Sequence, residues 1–331
     1  MSRFTVRRTL LSVLVAAAAC VSMPAMASKE KPVIGFSIDD LRVERWARDR
    51  DYFIEAAKQL GAEVSVQSAD GDAAKQVAQI ENLISKKVDA IVVSANDPDA
   101  LVPATKKAMG RGIKVLSFDS GIAKDGRLFN LLPSSNALIG EKLVKMTVDA
   151  VGNSGEIAVL SATAQATNQN AWIEEMKKVL AKPEYKDLKL VTVAYGDDQT
   201  DKSYREAQGL FKSYPNLKAI VAPTTVGIAA ASKAVQDANL IGKVYVTGLG
   251  LPSEMAGHVK SGAVKSFAIW NPIDLGYSIT YAAHQFVTGK AGKTVSLGRV
   301  GTATPDESGS APMAEPFTYD ATNVEKFAKF F

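Results

Sequence analysis

Short apolar runs ending on small or polar residues alternate along this chain with amphipathic stretches of roughly ten to eighteen residues. Two runs, Ala90-Ile91-Val92-Val93 and Ile157-Ala158-Val159-Leu160, are continuously apolar, the pattern of strands buried on both faces of a parallel sheet. The periodicity predicts strands over 33–39, 64–69, 90–95, 114–119, 128–132, 156–161, 188–194, 219–223, 244–249 and 266–270. Between them, 43–60 places Trp46, Phe53, Ala56, Ala57 and Leu60 on one helical stripe. The segment 74–85 does the same with Val77, Ile80, Leu83 and Ile84. Strands alternating with helices read as right-handed β-α-β units, hence an α/β fold.

With 331 residues the chain is long enough for two doubly wound parallel-sheet lobes. The turn Leu132-Pro133-Ser134-Ser135 is the expected first crossing between them, and 262–271, leading into Pro272, the return. The expected lobes are 31–133 with 271–295, and 134–270 with 296–331. Within the latter, the Gly-, Ser-, Thr- and Pro-rich 296–316 reads as an extended surface segment.

Residues 1–27 read as a signal peptide. Arg3, Arg7 and Arg8 form a basic leader, an apolar run over 10–21 is too short to span a bilayer, and Ala25-Met26-Ala27 supplies the small-x-small pattern for cleavage after Ala27. Lipidation at Cys20 fits less well, because Ala17-Ala18-Ala19 lacks the usual upstream Leu. Removing the leader lowers the net charge from +4 to +1 and takes away the single Cys. A nearly neutral exported chain lacks the basic face that nucleic-acid phosphates require. Without a second Cys there is no disulfide framework or multi-thiolate metal centre, and two His, His258 and His284, leave little for zinc or a Ser-His-Asp triad. No cofactor is expected.

Ligands of open α/β sheets collect at the carboxyl ends of the strands. Those ends read Ser37-Ile38-Asp39-Asp40, Ser68-Ala69-Asp70, Ser94-Ala95-Asn96-Asp97, Ser117-Phe118-Asp119-Ser120, Ser161-Ala162-Thr163, Ala222-Pro223-Thr224-Thr225, Thr247-Gly248-Leu249-Gly250 and Trp270-Asn271-Pro272. Carboxylates and amides can exchange hydrogen bonds with sugar hydroxyls, and Trp46, Trp172 and Trp270 can cover a ring's C–H face. Each of these residues also has a plainer explanation: Asp and Asn after strands cap helices and build turns, and tryptophans fill cores. It is their recurrence on most strands that points to a polyhydroxylated, uncharged ligand. Gly248-Leu249-Gly250 lacks the third glycine of a nucleotide loop, and no Gly-x-Ser-x-Gly, His-Glu-x-x-His or Walker pattern occurs. An exported hydrolase acting on glycosides through an aspartate pair is the different-class alternative.

At these residues the chain resembles periplasmic sugar-binding proteins of the ribose-binding type, the capture components of ABC importers. The stretch Ile34-Gly35-Phe36-Ser37-Ile38-Asp39-Asp40-Leu41-Arg42 through Glu44-Arg45-Trp46 to Gln79-Ile80-Glu81-Asn82 resembles xylose-binding members. Residues 161–172, 222–231 and Ala268-Ile269-Trp270-Asn271-Pro272 are more similar to rhamnose-binding proteins and the autoinducer-2 receptor. The resemblance implies two lobes that close on a hinge around a neutral monosaccharide, L-rhamnose first, with xylose, another pentose or hexose, or autoinducer-2 as alternatives. It implies sugar contacts from Arg45, Trp46 and Asp119, joined from the second lobe by Asn168, Gln169, Pro223 and Thr225, with Trp270 and Asn271 at the return crossing. Asp39, Asn96, Trp172 and Thr224 complete the expected site. One departure stands out: xylose and ribose binders usually carry Asn-Asp where this chain has Thr224-Thr225, which suits a methyl-bearing deoxyhexose better. The implied partners are an inner-membrane ABC permease and, for signalling, a chemoreceptor or sensor kinase, with the chain itself a periplasmic monomer.

Overall fold

The computed structural model describes residues 31–331, so the expected signal peptide, its cleavage site and Cys20 lie outside the described residues. The first lobe begins with β1 (Val33–Ile38), α1 (Glu44–Gln59), β2 (Glu63–Ser68), α2 (Ala73–Ser85), β3 (Ala90–Val93), α3 (Val102–Gly110), β4 (Lys114–Phe118) and β5 (Phe129–Leu132). The chain then crosses to the second lobe and forms α4 (Asn136–Val151), β6 (Ser154–Ser161), α5 (Thr167–Leu180), β7 (Asp187–Tyr195), α6 (Thr200–Ser213), β8 (Leu217–Ala222), α7 (Thr225–Asp237), β9 (Tyr245–Gly248), α8 (Pro252–Ser261) and β10 (Ser266–Ile269). It returns through α9 (Pro272–Thr288), β11 (Val295–Ser296), β12 (Thr302–Ala303) and β13 (Ser310–Pro312), and ends on β14 (Phe317–Asp320) and α10 (Val324–Phe327).

All ten expected strands form, with boundaries shifted by one or two residues. The first sheet has the order β13-β5-β4-β3-β1-β2 and is parallel throughout. The second runs β7-β6-β8-β9, also parallel, and is extended by bridges from Val246 to Val264 and Leu249 to Ala268 toward β10, on which β14 lies antiparallel. Strand order reverses at β1 in one sheet and at β6 in the other. Crevices at such switch points are where open α/β sheets hold ligands.

Helices cover both sheets. Phe36 on β1 stacks on Phe53 of α1 with ring centroids 4.2 Å apart. α1 and α9 approach so closely that a β-carbon on Gly276 would lie 2.1 Å from the Asp49 carbonyl oxygen. Ser135 opens α4 by accepting the Leu138 N–H, and Thr224 opens α7 by accepting that of Gly227.

The tail corrects one expectation. Residues 296–331 do not belong wholly to the second lobe, nor is 296–316 merely a surface segment. β11 and β12 pair beside α9, where Gln285 bonds Ser296 through both its amide atoms. β13 then adds in parallel to β5, with Ser310 and Ala311 buried. Only after Met313 and Ala314 have donated to the carbonyls of Leu132 and Pro133, alongside the first crossing, does the chain reach β14 in the second lobe. Three connections therefore run side by side between the lobes.

Candidate ligand-binding cleft

A cavity of about 330 Å³ lies between the lobes at the carboxyl ends of both sheets. From the first lobe, Asp39 follows β1, Asn96 follows β3, Asp119 follows β4, and Arg45 and Trp46 stand on the first turn of α1. From the second, Asn168, Gln169 and Trp172 come from α5, Pro223, Thr224 and Thr225 from the end of β8, and Trp270 from the end of β10. Twelve of the thirteen expected site residues thus line one cavity.

Asn271 does not line it. Its Oδ1 accepts the Ile273 N–H and its Nδ2 donates to Asp274, so it is the N-cap of α9 with Pro272 at the first helical position. An Asn-Pro pair after a strand has this capping use, and here it accounts for the residue.

Asp198 was missed. It follows β7, lines the cavity, and its Oδ1 accepts the Thr224 hydroxyl. The sequence signal was the same polar strand end read elsewhere, here Gly196-Asp197-Asp198. Asp119 and Asp198 both have left-handed backbones, with φ of 55° and 49°, a conformation Asp tolerates better than most side chains. Asp49 was missed too, and lies behind the wall rather than in it.

Hydrogen bonds run from Asp49 through Arg45, Asp119 and Asn168 to Gln169 and Ser161, with Asp39–Asn96 forming a separate pair. Arg45 Nη1 donates to Asp119 Oδ2 at 3.0 Å and to Asp49 Oδ2 at 3.1 Å. Its guanidinium lies 3.6 Å from the Trp46 ring centroid, within cation–π range. Asn168 Nδ2 donates to Asp119 Oδ1 at 2.6 Å, joining the lobes directly. Gln169 Oε1 accepts from Ser161 Oγ and the Ala162 N–H, which leaves its amide NH₂ to donate. Asn96 Nδ2 donates to Asp39 Oδ1 at 2.9 Å. Trp172 and Trp270 meet edge to face at 5.5 Å. Trp172 Nε1 donates to Asn136, whereas Trp270 Nε1 is buried without a partner among the described residues.

Charge in the cleft is lopsided. Asp39, Asp119 and Asp198 line it with Arg45 as the inner cation, while Arg42 at the rim is paired with Asp40 at 2.6 Å. Desolvation raises the Asp39 carboxyl to about 6 despite the Asn96 hydrogen bond, and the charge of Asp198 across the cleft adds to the rise. Burial also pushes Asp119 up, against the pull of Arg45 and Asn168, and Asp198 up, against the Thr224 hydroxyl. Asp49 lies well above its ordinary value because it is fully buried. An anionic ligand would meet this surplus of carboxylates unfavourably. A ligand bearing several hydroxyls can donate to the remaining lone pairs of these carboxylates.

Comparison with known proteins agrees with this geometry. Residues 34–291 match the periplasmic binding protein domain model, and the chain belongs to that family. The D-xylose-binding periplasmic protein of Escherichia coli is 33% identical over 249 residues, covering 73% of each chain. A solute-binding protein of an ABC transporter from Clostridium phytofermentas, solved with bound L-rhamnose, is 34% identical with a TM-score of 0.87, over 91% of this chain and 99% of that one. A sugar ABC transporter protein from Actinomyces odontolyticus is 37% identical with a TM-score of 0.73, over 89% and 97%. The chain is a sugar-binding protein of an ABC transporter, in a family that binds its ligands without transforming them.

Proposed function

We propose that the cleft captures one neutral monosaccharide, L-rhamnose before others, in the periplasm and delivers it to an ABC permease. The observation that carries the reading is the pairing of three carboxylates, Asp39, Asp119 and Asp198, with three tryptophans around a cavity at the small end of ligand-site volumes. Pro223, Leu249, Ile269 and the tryptophans give that cavity an apolar side, which suits the methyl group of a 6-deoxyhexose. The L-rhamnose bound to the Clostridium phytofermentas relative supports the same choice. The name of the Escherichia coli relative makes D-xylose the second reading.

Binding couples to lobe closure because the cavity walls come from both lobes, and a ligand shifts that equilibrium by its differential affinity for the closed form. Both lobes belong to one chain, so the monomer is the binding unit. The closed surface would serve a permease and, in signalling, a chemoreceptor or sensor kinase. Calorimetry with L-rhamnose, D-xylose, D-ribose and other neutral monosaccharides tests the reading. Tight binding of L-rhamnose is expected. Binding of none of the panel overturns it.

A further inference from the structure

A second cavity of about 300 Å³ lies beside the hinge, lined among others by Arg127, Asn130, Asn136, Thr167, Asp306 and Ser310. It shares only Asp119 and Asn168 with the sugar cavity, and these two are hydrogen-bonded to each other across the lobes. The wall between the cavities therefore contains a bond that joins the two lobes. The hinge chamber is lined by polar side chains, among them Arg127, Asn130, Asn136, Asp306 and Ser310, and can accept a polar ligand substituent.

Resting on the function proposed above, we propose that the Asp119–Asn168 bond is a size filter. In the open protein the two chambers are one space. As the lobes close, Asn168 reaches Asp119 and seals the sugar cavity. A free monosaccharide fits behind the seal, so it collects the full closure energy. A sugar carrying an ether or second ring at the oxygen facing this wall props the Asp119–Asn168 pair apart and forfeits both the bond and part of closure. Specificity then arises from a penalty on the wrong ligand as well as from contacts to the right one. Asn168 is a specificity-determining residue in this account.

The test measures dissociation constants for L-rhamnose and D-xylose, and for mono-O-methyl and mono-O-benzyl ethers of the tighter of the two, each oxygen in turn. Wild type, Asn168→Ala and the milder truncation Asn168→Ser are compared, with melting curves to show that each folds. Wild type should reject every benzyl ether at least 100-fold relative to the free sugar. Both variants should bind the free sugar more weakly, yet narrow that gap at least 10-fold at one and the same oxygen. An unchanged gap at every oxygen in both variants overturns the size filter while leaving monosaccharide capture standing. A wild type that binds neither sugar overturns both.

Discussion

Arg45 and Asp119 form an ion pair with N···O of 3.0 Å in which the carboxylate side chain has no solvent exposure and the guanidinium only 7%. Arg45 approaches from a helix and Asp119 from a strand end, so the pair fixes the first lobe's half of the cleft before any ligand arrives. Removing one partner of such a buried pair commonly costs about 3–5 kcal/mol, whereas an isostere keeps the packing. Asp119→Ala should therefore lose both sugar binding and several degrees of melting temperature. Asp119→Asn should lose at least 100-fold in affinity with a smaller melting shift. Calorimetry and thermal unfolding on the two variants separate the roles, and wild-type affinity in Asp119→Asn would remove Asp119 from the site.

Asp39 gives the protein a pH dependence whose sign can be worked out. Its folded carboxyl titrates near 6, above its ordinary 3.8, so the stability it contributes is full below 3.8 and is lost as pH rises through 6. Asp39→Asn should accordingly raise the ligand-free melting temperature relative to wild type at pH 7.5 and leave it unchanged at pH 4. Sugar binding runs the other way, because a hydroxyl donates to the ionised form. Wild-type affinity should fall about tenfold between pH 7 and pH 5, and the Asn variant should show a flat profile. A wild-type profile flat over that range contradicts the assignment.

The chain has three tryptophans, and all of them line the cleft. Tryptophan emission, excited selectively over the nine tyrosines, is thus a reporter of this cleft. Saturating sugar should change its intensity or emission maximum, and Trp270→Phe should diminish the response. Binding seen by calorimetry with no spectral change would place the ligand outside this cavity.

Gly276 tests the scaffold rather than the lining. A β-carbon there would collide with the Asp49 carbonyl, backbone that cannot step aside without parting α1 from α9. Since α1 carries Arg45, Trp46 and Asp49, Gly276→Ala should destabilise the fold by roughly 3 kcal/mol or more and weaken sugar binding in parallel. Unaltered melting and affinity would show that the helices can separate freely.

The parallel strands were legible because each is a short β-rich run, continuously apolar in β3 and most of β6 and alternating in β2 and β7, bounded by polar turns. β11 to β14 were not, since they span two to four residues in a Gly-, Ser- and Pro-rich stretch. Their pairing comes from tertiary neighbours, such as the edge that β5 offers to Ser310 and Ala311, and not from a local pattern. In the cavity lining, strand-end chemistry picked out Asp39, Asn96 and Asp119, and the same rule applied to β7 would have picked out Asp198. Asn271 shows the rule's weakness, because a capping amide and a binding amide share one sequence signature. Asp49 had no signal at all: on α1 it reads as one more charged residue, and only the turn that brings it under Arg45 gives it a task.

Arg127 in β5's approach donates to the Ser308 carbonyl 181 residues further along, next to the strand that finishes the first sheet's edge. During synthesis that edge stays open long after its other strands have left the ribosome. The first lobe therefore cannot finish its sheet until nearly the whole chain is available, which couples its completion to the folding of the second lobe.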